Sequence, residues 1–374
     1  MHHDSSSISF NPIMKRILIT GAGGPAGINF TRSLKLVEDD ELQLIGVEGN
    51  RYHRFLAETE KCYLVPKAKE RGYIEKLNQI IDSEGINFVH AQPDIEVRVI
   101  SENRERLKAR VFLPKKRTVE ICQDKFETYK VLSKAGVAVP RTIEIEKEED
   151  VKRAFRELGS PIWIRATSGA GGRGSTPASN IETVTAWISY WRLRGLDWKF
   201  IAQEYLEGRN LAFHGLFKNG RLITSMARER LEYIYPSLAP SGITGTPSVQ
   251  RTIHDELVNQ TAVRAVQAID PEYEGLACID MKEDSEGVPH ITEINPGRMF
   301  TTSYFFSYAG KKLYRELGME VDWFANLPYI YIKLGFGEEI PRLQQFNILP
   351  VNLYWIRHMD APAKLVWEDN TINI

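Results

Sequence analysis

Cysteine is scarce in this sequence. Its 374 residues contain three, Cys62, Cys122 and Cys278, with no CxxC spacing. An odd, scattered set excludes a disulfide framework and fits a reducing compartment, so a cytoplasmic location is expected. Long hydrophobic runs are missing too: none approaches the roughly 18 apolar residues of a membrane span, and no membrane partner is expected. The opening "MHHDSSSISFNP" lacks the apolar stretch of a signal peptide, and residues 1–13 read as a disordered tail. Neither sign of charge dominates. Lys and Arg number 48 against 49 Asp and Glu, a formal net charge of −1, so nucleic acid is not the expected partner. The short basic run Lys115-Lys116-Arg117 reads as a solvated loop. None of the eight histidines pairs at metal spacing, and neither a G-x-x-x-x-G-K-[ST] loop nor a G-x-S-x-G elbow occurs. A Walker-type loop, a histidine zinc site and a serine hydrolase are therefore unsupported.

What is present is alternation. "KRILITGA" (15–22) reads as a buried strand entering a glycine turn, and "PAGINFTRSLKLV" as the helix after it. "LQLIGVEGN" (42–50) and "INFVHAQPD" (86–94) read as further strands, with a striped helix at 73–85 between them. Strands separated by helices make a doubly wound, Rossmann-like parallel sheet, placed at 14–118. Next come a helix at 124–137, with Asp124 as N-cap and Gly136 as its stop, and two strand–helix units. They form a small α+β lobe at 119–200. From 201 to 374 the pattern changes to antiparallel hairpins, one turning at Asn219-Gly220 and one near Glu286-Gly287, with a helix at 256–269. Strands from about 341 are expected to complete this last lobe.

Four stretches carry chemistry. "GAGGPAG" (21–27) lies between a strand and a helix, with Glu48 near the end of the second strand. That context fits a dinucleotide site, or equally a tight strand–helix turn. In "PIWIRATSGAGGRGS" (161–175) a strand ending at Arg165 feeds Gly169, Gly171, Gly172 and Gly174. Closely spaced glycines let amide N–H groups face phosphate oxygens, and a guanidinium grips them. In "HITEINPGR" (290–298) Glu293 and Asn295 share one strand face, and Asp280 of "CIDMK" lies on the partner strand. Two carboxylates and an amide make a hard, all-oxygen Mg²⁺ site. "AQEYLEG" (202–208) ends a strand whose backbone can meet a purine edge.

In this order, "DKFETYKVLSKAGVAVP", "PIWIRATSGAGGRGS", "AQEYLEG" and "CIDMK…HITEINPGR" resemble the motifs of the ATP-grasp superfamily. The flavour is that of one half of the carbamoyl-phosphate synthetase large subunit, and the likeness covers about 14–310. The resemblance implies a Rossmann-like domain followed by a two-lobed ATP-grasp fold, with ATP and Mg²⁺ (Mn²⁺ as an alternative ion) as cofactors. By the same resemblance Lys125 lies near the phosphates and Arg165 on the α- and β-phosphates. The loop with Ser168, Gly169, Gly171, Gly172 and Gly174 closes as a lid. Glu204, Tyr205 and Leu206 hold adenine, while Asn210 stands where a ribose-binding Glu is usual. Asp280, Glu293 and Asn295 hold the metal, and Arg298 meets the transferred phosphoryl group. Here Gly297 lengthens the usual "NPR".

The implied activity is a carboxylate–amine ligase working through an acyl phosphate on small-molecule substrates, with a homodimer as the expected assembly. Arg228 and Arg230, with the Ser241-Gly242 turn, are candidates for the substrate carboxylate. Three alternatives stand beside it: phosphorylation of bicarbonate or carbamate, an NAD(P)-dependent oxidoreductase using residues 15–50, and a non-catalytic nucleotide sensor.

Overall fold

The structure is a computed structural model describing residues 14–39, 41–169, 172–319, 323–358, 364–367 and 370–373. The expected tail at 1–13 lies outside the described residues. The first unit runs β1 (Lys15–Thr20), α1 (Pro25–Lys35), β2 (Leu42–Glu48), β3 (Lys61–Leu64), α2 (Tyr73–Glu84), β4 (Phe88–His90) and α3 (Asp94–Glu102). Its four strands are parallel in the order β3-β2-β1-β4. The near-unbroken apolar run of β1 is what a parallel strand covered on both faces requires, and Ile17, Leu18 and Ile19 are fully buried. The order reverses between β1 and β4, which opens a crevice at their carboxyl ends.

Two helices, α4 (Lys116–Gln123) and α5 (Lys125–Lys134), lead into the second unit. Lys116 and Arg117 thus open a helix, in place of the solvated loop read from their charge. Asp124 caps α5 as expected: its carboxylate accepts from the amides of Phe126 (2.9 Å) and Glu127 (3.1 Å). Next are β5 (Thr142–Ile145), α6 (Glu148–Leu158), β6 (Ile162–Ala166), β7 (Thr176–Ala178), α7 (Ile181–Leu193) and β8 (Phe200–Glu204). They build an antiparallel sheet, β5-β8-β6-β7, whose apolar face packs with Val151 and Ala154 of α6 and Val184 and Ile188 of α7.

The third sheet has six strands in the order β13-β12-β9-β10-β11-β14. They are β9 (Asn210–Lys218), β10 (Arg221–Tyr233), β11 (Pro247–Ile253), β12 (Gly275–Glu283), β13 (Pro289–Pro296) and β14 (Tyr354–Ile356), with α8 (Glu256–Ile269) against one face. The Asn219-Gly220 turn has φ of +50° and +71°, the left-handed pair that a two-residue hairpin needs. Of the strands expected after 341, β14 pairs with β11, while β15 (Lys364–Trp367) and β16 (Asn370–Asn373) form their own two-stranded sheet. The segment between the last hairpin and β14 contains α9 (Ser303–Glu316) and α10 (Leu327–Gly335). Both pack back onto the first unit: Phe306, Tyr331 and Ile332 share one core with Ile17, Phe30 and Phe88.

Candidate functional site

A cavity of ≈ 220 Å³ lies between the small antiparallel sheet and the six-stranded one. Strand pairing determines its floor. Asp280 is the register partner of Glu293, and Cys278 of Asn295, across β12 and β13. Period-two alternation then puts Asp280, Glu293 and Asn295 on one face, and all three line the cavity. Its roof comes from the other sheet, where Arg165 at the end of β6 reaches across. The Arg165 Nη2 lies 3.1 Å from Glu293 Oε2, and its Nη1 donates to the Thr292 carbonyl at 3.0 Å. Lys125, first in α5, places Nζ 3.5 Å from Glu293 Oε1 and donates to the Gly169 carbonyl at 3.0 Å.

Each oxygen donor of the floor faces a cation. Arg230 Nη2 is 2.5 Å from Asp280 Oδ1. Arg298 donates from Nη2 to Asn295 Oδ1 at 2.7 Å, and its Nε lies 2.7 Å from Asp94 Oδ1. Burial alone would raise the Glu293 carboxyl, but Lys125, Arg165 and Arg298 outweigh it and hold it below the usual range. Burial lowers Lys125 and Arg165 despite the Glu293 charge. Burial would also lower Arg298, but Asp94 foremost raises it. The cleft is thus a poised set of charges that phosphate and a metal ion can rearrange.

The cavity is also lined by the apolar side chains of Pro140, Trp163, Tyr205, Leu206 and Met281. Glu204 also lines it, but its carboxylate is taken by the Arg141 amide (2.8 Å) and Arg141 Nε (2.7 Å). Asn210 and Ser241 line the cavity as well; Gly242, at φ +70°, does not. Of the glycine-loop residues, Gly172 and Ser175 are on the wall, and Ser168, Gly169 and Gly174 are not. Gly171 lies outside the described residues. A Cβ on Gly172 would come 2.7 Å from the Ile243 carbonyl, so the loop rests there by backbone contact. Arg228 is buried, at 3% exposure, on the sheet face that carries Asp280, but it does not line the cavity. The added Gly297 takes φ +71° and packs near Val97 and Pro114, which leaves Arg298 aimed into the cleft.

Several lining residues were not singled out from sequence. Trp163 had a signal: it sits two before Arg165 on β6 and therefore shares its face. Asp94 does not line the cavity but opens α3 just beyond β4, 2.7 Å from Arg298, on the side where ligands meet parallel sheets. Met281 had none, because a register shift between Asp280 and Met281 brings it to the cavity against simple alternation.

The first glycine turn looks different. The Glu48 carboxylate accepts from the amides of Gly23 and Asn50, both at 3.1 Å, so the acid expected to meet a ribose is already engaged. Gly23 abuts the His53 carbonyl so closely that no side chain fits between them.

Among the described residues no group of three His, Cys, Asp or Glu side chains is set to hold a metal. The floor offers two carboxylates and one amide oxygen. That donor chemistry fits a hard divalent cation which keeps some of its coordination for phosphate or water. A second, larger depression of ≈ 950 Å³ shares Gly172 and Ser175 but is lined mainly by Trp187, Tyr190, Trp191, Tyr235 and Leu238. Among the described residues Arg173 is the one charged side chain on its wall, too few to carry a triphosphate.

Residues 122–303 match the family model described as "ATP-grasp domain". A probable alpha-L-glutamate ligase of Teredinibacter turnerae is 27% identical over 175 residues, covering 46% of this chain and 55% of that protein. The carbamoyl phosphate synthase large chain of Pyrococcus furiosus is 23% identical over 228 residues, covering 60% and 20%. The chain thus spans about half of the first relative, at 55%, and far less of the second. Among solved structures, the biotin carboxylase domain of the Hydrogenobacter thermophilus 2-oxoglutarate carboxylase, a dimer in complex with MgADP, ADP and bicarbonate, superposes with a TM-score of 0.64. Its identity is 17%, covering 92% of this chain and 74% of that one. No helix among the described residues is long and apolar enough to cross a membrane. From Cys122 to Ser303, a stretch that includes Asp280, Glu293 and Asn295 of the cleft floor, this chain is similar to the ATP-grasp domain.

Proposed function

We propose that this protein is an ATP- and Mg²⁺-dependent ligase that activates a small-molecule carboxylate as an acyl phosphate and joins it to an amine. One observation carries the reading: Glu293 is gripped by Lys125 and Arg165, opposite Asp280, in a cleft under a glycine-rich loop. Adenine packs against Trp163, Leu206 and Met281, with the backbone at Glu204 and Tyr205 along its edge and Asn210 toward the ribose. The triphosphate runs toward Lys125 and Arg165, and the loop around Gly172 covers it. Asp280, Glu293 and Asn295 would hold Mg²⁺, or Mn²⁺ in its place, and the ion supplies charge neutralisation at the phosphates.

The substrate carboxylate oxygen attacks the γ-phosphorus, and the bond to the β-phosphate oxygen breaks with its electron pair leaving on ADP. Lys125 and Arg165 exchange Glu293 for phosphate oxygens, and Arg298 exchanges Asn295 for the phosphoryl group in transfer. The covering loop keeps water from the acyl phosphate. The amine nitrogen then attacks the acyl carbon, phosphate departs, and the amine proton passes to solvent. Arg230 and Ser241 border the space where the carboxylate arrives. A cytoplasmic homodimer belongs to this reading, supported by the scattered reduced cysteines and the dimeric carboxylase domain.

The match to the synthase large chain favours one second reading, phosphorylation of bicarbonate or carbamate. A single assay separates the two. ADP release from MgATP is measured with pooled amino acids, other carboxylic acids, amines or bicarbonate, beside Glu293→Ala. Release that needs a carboxylic acid with an amine, and that vanishes in the variant, supports the ligase. Release with bicarbonate alone favours the second reading. Failure of the protein to bind ATP sinks both.

A further inference from the structure

Beneath the cleft the six-stranded sheet carries polar groups that the ligase reading leaves unused. Strand pairing sets Glu293, Asp280, Ala212, Arg228 and Thr252 in one row across five strands. In the adjacent row Arg230 stands opposite Gln250. Arg230 has Asp280 as its counter-ion. Arg228 has none: its Nε and Nη1 lack a partner among the described residues, and its guanidinium lies 4.5 Å from the Phe300 ring centroid. Gln250 is fully buried, and both its Oε1 and its Nε2 are unpartnered.

These groups cost stability where they stand. A buried charge is normally paired, and a buried amide is normally hydrogen-bonded. Stacking on an aromatic face returns less than an ion loses on leaving water. Burial brings Arg228 down to about 10, and the neighbouring Arg230 charge adds to that, while Cys278 and Asp280 act the other way. Arg228 thus holds a buried guanidinium without a carboxylate partner among the described residues, two residues along the strand from the cleft-lining Arg230.

We propose that Arg228 and Gln250 form a subsite for a spectator carboxylate, one that is carried by a substrate and not phosphorylated. Arg228 supplies the positive charge. Gln250 donates from Nε2 to the carboxylate and accepts at Oε1 from an adjacent N–H or O–H of the same molecule. This rests on the ligase reading and narrows it: one substrate is an amino acid or a dicarboxylic acid rather than a simple acid or a simple amine.

The test is thermal unfolding of the full chain in MgADP, with a pool of amino acids, a pool of dicarboxylic acids, or the amides of each pool. The expected result is a rise in melting temperature with one acid pool and none with its amides. Response to amino acids alone puts the spectator group on the amine substrate; response to dicarboxylic acids alone puts it on the acyl substrate. Arg228→Met and Gln250→Leu should each keep the MgADP shift and lose the acid shift. Without acid, both should melt at or above the wild type, because an unpaired buried polar group has been removed. A wild type that answers neither acid pool, or variants that keep the acid shift, would overturn the subsite and leave the nucleotide site standing. A wild type without an MgADP shift overturns the ligase reading, and the subsite with it.

Discussion

The chain has two glycine-rich turns, at 21–27 and 169–174, and they use glycine for opposite reasons. In the first, the glycines are closed in. A Cβ on Gly21 would meet Pro93 Cγ at 2.5 Å, and those on Gly23 and Gly27 would overlap the His53 and Gly21 carbonyls. In the second, nothing lies within 4 Å of such an atom on Gly169, and the position is held at φ +111°. One turn is glycine because neighbouring backbone fills the side-chain space. At Gly169 the path of the chain demands glycine while the space stays open, whereas a Cβ on Gly172 or Gly174 would meet neighbouring atoms at 2.7 and 3.0 Å. A sequence motif shows only that side chains are missing; the surroundings tell whether a packed corner or a ligand-facing loop has been made.

Gly23→Ala breaks the packed turn most severely. Overpacking of this kind costs about 3 kcal/mol, or a fall of roughly 6–10 °C in melting temperature. Calorimetry should show that fall, with MgADP affinity unchanged in the folded fraction. Next is Glu96, beside the same turn, with Oε2 3.9 Å from the Gly21 Cβ position. Burial chiefly, and Glu48, raise its carboxyl to about 7, although Thr20 and Tyr73 pull the other way. The folded state then binds more protons than the unfolded one between 4.5, the ordinary value for a glutamate carboxyl, and about 7. Stability should fall as pH rises through that window, by up to about 3 kcal/mol, and stay level above it. Glu96→Gln should flatten this slope in urea titrations at pH 5 and pH 8.

Gly172→Ala tests the second turn where it touches the rest of the protein. With φ +72° and the Ile243 carbonyl at 2.7 Å, it should melt within about 3 °C of the wild type. Its MgATP turnover should fall about tenfold, as expected when a covering loop no longer seats. Gly169→Ala is the mildest, with a melting temperature within about 2 °C and turnover reduced two- to threefold. Equal thermal damage from Gly23→Ala and Gly169→Ala would erase the distinction between the turns.

Much of this was legible in residue patterns and the rest was not, for identifiable reasons. Alternation gave the parallel sheet, and Asn219-Gly220 gave the hairpin, because local chemistry dictates both. Glu293 and Asn295 were predictable as one face from period two, and Asp280 from pairing across the hairpin, while the register shift after Asp280 put Met281 outside that pattern. Glu204 was named for adenine, yet its carboxylate turns to Arg141, a partner 63 residues away that no local pattern reveals. Arg228 and Arg230 looked alike in sequence. Only the sheet shows that Asp280 neutralises the second and not the first.

The helices α9 and α10 also bear on how the chain comes to be folded. They lie some 270–310 positions after α1 in sequence, yet they cover it and share its core. During synthesis the first sheet emerges before its covering helices, and one of its faces stays bare until α9 and α10 have left the ribosome. Contacts of such long sequence separation form slowly. A fragment ending before Ser303 would show water the apolar side of α1, and it should aggregate rather than persist as a free-standing nucleotide-binding piece.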